Sequence, residues 1–397
     1  MIKINNQNKQ ISLLGIIFFV SAFLLFVFPN SFRGIKLPLF IFLMMIGVTK
    51  ILKLNKVVIF SLFLSIIVTT IYLIVGIDKS KNPDEAFSQV LIVYVFTPIL
   101  WSVILNYCLE KYQINKIVNY LNIFMTFGCI SVFIAIWLFQ TGQKKILELL
   151  IEDPNMTFSS KGIVEMKLFV YGSLIFFIPA FIQLEKIFNN KLYYYLGILL
   201  IFITAVVSGR SALLLSIFIG VIFYAMANFN SKVIKYIFLG IVLFLLANTI
   251  LNYFGVNLFN ILLEFNSKVL KGGDKERPLQ TKALIEGINN NIFGAGHGVG
   301  VDYIRSVKFP WRYENVPFAL IYRVSFFGFI IYSIPFIYSL KKYFSLTKKH
   351  PYDNYMIIGY ISMLIATFTN PYLESFEFNI FYVLPFIYFI KRDKFFV

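Results

Sequence analysis

The sequence predicts an all-α, polytopic membrane protein of about twelve transmembrane helices with one large outer loop, and three observations carry that prediction. Hydrophobic residues make up 59% of the 397-residue chain and charged residues only 14%, with mean hydropathy +0.78. A soluble protein of this length needs far more charge to cover its surface. The apolar residues come in runs close to the roughly 20 residues that a helix needs to cross a bilayer, not at amphipathic spacing. Lysines and arginines gather at the ends of those runs, more on one side than on the other.

In chain order the candidate spans lie near 11–29, 37–54, 57–77, 87–108, 117–139, 168–184, 192–208, 211–227, 233–254, 317–340, 355–370 and 376–390. The first follows Lys3 and Lys9 as a signal sequence would. It has no small-residue cleavage site and ends in Phe28-Pro29, so it reads as an uncleaved span. Pro98, Pro179, Pro335 and Pro385 fall inside spans, where neighbouring helices satisfy the freed carbonyls. Nothing marks a soluble domain, an internal repeat or a low-complexity linker, so residues 1–397 read as a single integral-membrane domain.

Orientation follows from the basic residues. With the amino terminus in the cytoplasm, the cytoplasmic ends and connections carry 18 lysines and arginines, from Lys3 to Lys394. The short connections on the other side carry five: Arg33, Lys36, Lys79, Lys81 and Arg210. Both termini are therefore expected in the cytoplasm, and segments 141–167 and 255–316 outside. The formal charge of +17 reports topology, with anionic lipid or phosphate as secondary partners and no role for nucleic acid. Cys108 and Cys129 lie in different apolar runs, which argues against a structural disulfide.

The large outer segment holds most of the unusual chemistry. Gly294, Gly296, Gly298 and Gly300 alternate around His297, among Lys268, Lys271, Lys275, Arg277, Lys282, Arg305, Lys308 and Arg312. The run is not a dinucleotide fingerprint, because position 299 is Val, and no Walker lysine follows. It reads either as a turn or as backbone that approaches an anion closely. Short helices on the membrane surface are expected at 279–292, at 256–270 and at 146–151. The first places Leu279, Ala283, Leu284, Ile288 and Ile292 opposite Lys282, Glu286, Asn289 and Asn290.

Several side chains are candidates for chemistry. Arg210 sits between two spans with almost no loop, as a snorkelling anchor or a phosphate ligand. Arg277 has only Asp274 and Glu276 as local acids. Arg323, two turns into the tenth span, reads as an interhelical pair or a second intramembrane cation. His297 is a base, a phosphate donor or incidental. Glu314, beside Asn315, is a base for a sugar hydroxyl or a partner for Arg312. His350 has no assigned role. There is no H-E-x-x-H, no D-x-D pair in an outer loop and no G-x-S-x-G, so neither a transition-metal site nor any other cofactor is expected.

These pieces combine as S-G-R-S-A-L-L at 208–214, R-x9-G from Arg277 to Gly287, N-x-F-G-x-G-x-G from Asn291 to Gly298, and E-N-x12-G-F from Glu314 to Phe329. With the many spans, the combination resembles the bacterial O-antigen and capsule polymerase and ligase superfamily of integral-membrane glycosyltransferases. The motifs cover about 208–220 and 277–330. The resemblance implies that Arg210 and Arg277 bind the pyrophosphate of a polyprenyl-linked oligosaccharide, with Glu314 or His297 assisting the acceptor hydroxyl. Gly294, Gly296, Gly298, Lys282, Arg312, Asn315 and Arg323 are expected to line the substrate site. The expected protein is a repeat-unit polymerase of the cytoplasmic membrane, working beside a chain-length regulator and a flippase. The ligase branch has His-Asn where this chain has Glu314-Asn315, and some polymerases have one residue more between Arg and Gly. The alternatives are an O-antigen ligase acting on lipid A core and a non-enzymatic lipid-oligosaccharide flippase.

Overall fold

The computed structural model describes residues 13–29, 31–49, 53–150, 156–158, 164–166, 168, 170–208, 210–228 and 276–396, with isolated positions at 245, 248, 249 and 252. The span expected at 233–254, the helix expected at 256–270 and the cluster Lys268, Lys271 and Lys275 therefore lie outside the described residues, apart from those isolated positions.

The described chain is helical, with one short exception. The helices are α1 (Leu13–Val27), α2 (Arg33–Val48), α3 (Lys56–Ile77), α4 (Pro83–Leu91), α5 (Thr97–Lys111), α6 (Ile114–Gln140) and α7 (Lys144–Leu150). Strands β1 (Met156–Phe158) and β2 (Val164–Met166) then pair antiparallel, with Thr157 opposite Glu165. The all-α expectation did not include this ladder. Helices α8 (Val170–Ile182), α9 (Lys191–Val207), α10 (Ser211–Ala227), α11 (Glu276–Asn290), α12 (Val316–Tyr332), α13 (Ile334–Ser345), α14 (Pro351–Ala366) and α15 (Ile380–Lys391) follow.

Every expected span that falls on described residues overlaps at least one helix, several of them shorter than the span. Four helical stretches are long and apolar enough to cross a membrane: α3, α4 joined to α5, α6, and α12 joined to α13. α1, α2, α8, α9 and α10 are shorter apolar helices. The outward faces of α3, α9 and α10 carry large apolar side chains such as Phe63, Ile74, Leu199 and Phe218, which are exposed. In water such a surface would aggregate, whereas in hydrocarbon it is the expected covering.

Burial is concentrated in α8 and α15, where every residue of 170–182 and of 380–389 is buried. α8 packs against α6, α10 and α14, and α15 against α5, α13 and α14. Two prolines have local consequences. Pro98 has no N–H and its ring crowds the carbonyl four residues earlier. The chain answers with a π-turn over Ile92–Phe96, where Thr97 also donates its hydroxyl to the Ile92 carbonyl at 2.6 Å. Tyr94 projects from that turn. Pro335 stands near the start of α13, where a missing N–H costs nothing.

The described part of 255–316 does not lie on its own. α11 packs along α12, burying Gln280 and Leu284, with Ile288 partly buried beside them. Leu279 and Ile292 are exposed, so the helical face expected at 279–292 is turned by about one position from the one observed. The chain after α11 is tied to α4 through Asn82, whose amide donates to the Val307 and Lys308 carbonyls at 3.0 and 2.9 Å. Trp311 adds a bond to Gln89 at 2.7 Å. The short helix expected at 146–151 is present as α7.

Candidate functional site

Two charged clusters share one end of the bundle, joined by a 3₁₀ turn at Tyr372–Glu374 between α14 and α15.

The first is built on Glu314, just before α12. Its carboxylate bridges two guanidiniums, accepting from Arg277 Nε at 2.5 Å and from Arg305 Nη2 at 2.6 Å. The backbone N–H of Glu314 donates to the buried Gln280 side chain at 3.1 Å, which fixes the carboxylate relative to α11. Asn315 reaches Thr281 on the same helix at 3.4 Å, and its own side-chain oxygen is buried without a partner. An open depression of about 590 Å³ lies against Arg277, Pro278, Thr281, Lys282, Ile285 and Glu286. Lys282 is exposed there and pairs with Glu286 one turn on, at 3.9 Å.

Tyr372 connects this cluster to Arg210. Burial pushes the Tyr372 phenol up to about 12; the charges of Arg210 and Arg277 both pull it down, and Glu314 pushes it up. Arg210 also lies over the Tyr171 ring, 5.6 Å from its centroid, and the Tyr171 hydroxyl is buried without a partner. Arg210 and Arg277 therefore come within electrostatic reach of one phenol, although much of the chain separates them. Such an arrangement favours an anion with several oxygens, because guanidiniums bind them in pairs of parallel N–H bonds.

The second cluster is sealed inside the bundle. Arg323 is buried, pairs with Glu374 and donates Nε to the Ala319 carbonyl at 3.0 Å. Tyr94, on the π-turn, donates to the same Glu374 oxygen at 2.7 Å. Beside them His297 is fully buried, its Nε2 3.1 Å from the Tyr332 hydroxyl and its ring 4.9 Å from that of Tyr94. Tyr332 in turn meets Thr69 of α3 at 2.8 Å. Nδ1 of His297 and Oε2 of Glu374 have no partner among the described residues.

The glycine run is what carries His297 there. α12 is broken at Val324 and Ser325, the latter at φ +62°, which frees carbonyls that a continuous helix would use. Ala295 N–H donates to Tyr322 O at 2.8 Å and Gly296 N–H to Arg323 O at 2.9 Å. His297 N–H donates to Tyr72 O of α3 at 2.7 Å. Gly294, Gly296 and Gly298 all have positive φ, and a Cβ on Gly296 would fall on the backbone of Gly76. Only glycine on both sides permits that approach.

Several expectations are corrected by this geometry. The N–H groups of Gly294 and Gly296 are engaged within the protein, so they do not present donors to a bound anion; Gly298 packs on Ala86 and Ser80. His297 and Arg323 are enclosed and touch neither Arg277 nor Glu314 among the contacts described above. Arg323 takes the interhelical-pair alternative. Glu314 serves Arg277 and Arg305, not Arg312, whose Nε is buried without a partner. Both Glu314 oxygens are already engaged, which suits a positioning role better than proton abstraction. Tyr372, Glu374, Tyr94 and Tyr332 were not anticipated. The signal for Glu374 was a carboxylate, one of two with Glu377, between apolar runs, the natural partner for an intramembrane arginine.

Among the described residues no group of His, Cys, Asp and Glu side chains is arranged to hold a metal ion. Both cysteines are free, Cys129 buried and Cys108 partly so. Comparison with protein-family models, with curated proteins and with solved structures gives no match.

Proposed function

We propose that this chain is a repeat-unit polymerase for O-antigen or a related surface polysaccharide, acting at the outer face of the cytoplasmic membrane. In this reading the chain crosses the membrane about twelve times, both termini are cytoplasmic, and segment 255–316 faces outward. The observation that carries it is the pair of guanidiniums, Arg277 and Arg305, held on Glu314, with Arg210 lying over the Tyr171 ring. Guanidiniums available in pairs are what a pyrophosphate-handling site requires, and the motif resemblance assigns Arg210 and Arg277 to that role.

The chemistry is a displacement. The hydroxyl oxygen of one lipid-linked repeat attacks the anomeric carbon of another glycan, whose bond to pyrophosphate breaks. The bonding pair leaves with polyprenyl pyrophosphate, and the hydroxyl proton is lost to base or water. Negative charge grows on the leaving oxygen, so guanidiniums fixed in advance at a low-dielectric edge stabilise the transition state more than the ground state. Glu314 holds Arg277 and Arg305 at carboxylate spacing until substrate arrives.

The test is a gel of surface glycolipid from a deletion strain, read beside its polyprenyl-linked pool, with Arg210→Ala and Arg277→Ala complementation. Single repeats on core without a ladder support the polymerase. Bare core with long lipid-linked polymer identifies the ligase instead. Bare core with only unpolymerised, inward-facing lipid-linked units identifies a flippase and overturns the catalytic assignment.

A further inference from the structure

The glycine segment 291–298 sits at an unexpected level. α3 has 22 residues, about 33 Å at 1.5 Å per residue, so it has almost no length beyond a hydrocarbon core of about 30 Å. Tyr72 is five residues short of its end at Ile77, roughly 7.5 Å inside. Ile71 and Ile74 beside it are exposed, as a lipid-facing helix surface requires, and the polar pair Asp78-Lys79 marks the boundary beyond. Gly294 packs on this Tyr72 ring and on the backbone of Ser325, and Gly296 packs on Gly76. From there the chain climbs: Gly298 meets Ser80, and residues 307–308 accept from Asn82.

Beside this level stand large apolar side chains little covered by protein. Ile292 is 72% exposed and Phe293 89% exposed, two and one positions before Gly294. Phe326 and Phe327, just past Ser325 on α12, are exposed as well. The backbone at this depth is satisfied by the broken helix and by α3, which is the condition for non-helical chain inside a bilayer.

We propose that residues 291–298 form a re-entrant segment, dipping into the membrane between α3 and α12, and that Ile292 and Phe293 are contacts for bilayer lipid chains. The inference rests only on α3 and α12 crossing a membrane, and it stands whether or not the chain is a polymerase. The segment thereby becomes a fixed anchor at one membrane face, and the path from α11 to α12 is pinned by hydrocarbon on one side and by the Arg323 carbonyl on the other.

The experiment uses the full chain in phosphatidylcholine–phosphatidylglycerol vesicles, with Cys108→Ala and Cys129→Ala as background. Nitroxides are placed by Ile292→Cys, Phe293→Cys and, as the water-level reference, Val307→Cys, since Val307 is 88% exposed beside Asn82. At 292 and 293 collision with oxygen should exceed collision with a nickel chelate several-fold, and at 307 the order should reverse. Nickel accessibility at 293 equal to that at 307 would place the segment in water and overturn the proposal. Exclusion of both agents would mean that protein covers it, and would overturn it equally. Phe293→Trp with both cysteines intact gives a second reading, an added fluorescence component quenched by lipids brominated on the acyl chain.

Discussion

Removing the Glu374 carboxylate, by Glu374→Ala, isolates one energetic claim. Both partners of the Arg323–Glu374 pair have side chains 2% exposed, and Tyr94 donates to the same carboxylate oxygen. Truncation leaves a guanidinium enclosed without its counter-charge and a phenol without its acceptor. Breaking a buried pair from one side costs about 3–5 kcal/mol, which is roughly a 10²- to 10⁴-fold loss in the folded-to-unfolded ratio. Replacing both partners with apolar residues of similar volume is often neutral, so Arg323→Met combined with Glu374→Met should recover most of the loss. Cys129 supplies the assay, because its thiol is buried and reacts with a thiol-specific dye only on unfolding. Cys108→Ala removes the partly exposed thiol from the background. A loss below about 1 kcal/mol for Glu374→Ala, or a double variant as weak as the sum of the singles, would refute a sealed, mutually dependent pair.

Other consequences are open to measurement. Arg277→Lys keeps the charge but loses the planar fork toward Glu314 and a phosphate; polymer ladder formation should fall by about 10²-fold, read on the surface glycolipid gel. Glu314→Gln removes the anion between Arg277 and Arg305, so polymer should decline while membrane insertion stays intact; a full ladder would reduce Glu314 to a surface partner. Gly296→Ala imposes strain of about 1–3 kcal/mol at φ +103° besides the collision with Gly76, and should lower the Cys129-reported unfolding midpoint.

The helices were legible because an apolar run satisfies its own backbone within one helix, whatever its neighbours do, although only four helical stretches are long and apolar enough to cross a membrane. Charge pairing was not legible, because it depends on which helices meet. Glu314 stands two residues from Arg312 in sequence but bonds Arg277 and Arg305, since Gln280 and Thr281 bring α11 alongside. Arg323 announced itself as a buried cation, yet its partner lies beyond two whole helices, α13 and α14. The glycine run was recognisable as special backbone, but its use was not. Its donors meet carbonyls that exist only because α12 breaks at Val324 and Ser325, and no proline there signals the break.

That break also sets an order of assembly. A ribosome delivers α3 first, then the glycine segment, and α12 last of the three, so the carbonyl of Tyr72 and the amides of residues 295–297 exist before the acceptors at 322 and 323 do. The segment cannot be completed by what precedes it. Its final seat waits for a helix not yet made, and α12 in turn enters with two backbone acceptors whose donors are already in place. Truncated chains ending before α12 therefore lack the acceptors for the Ala295 and Gly296 amides and leave the stretch that carries His297 inward tied only to Tyr72 of α3.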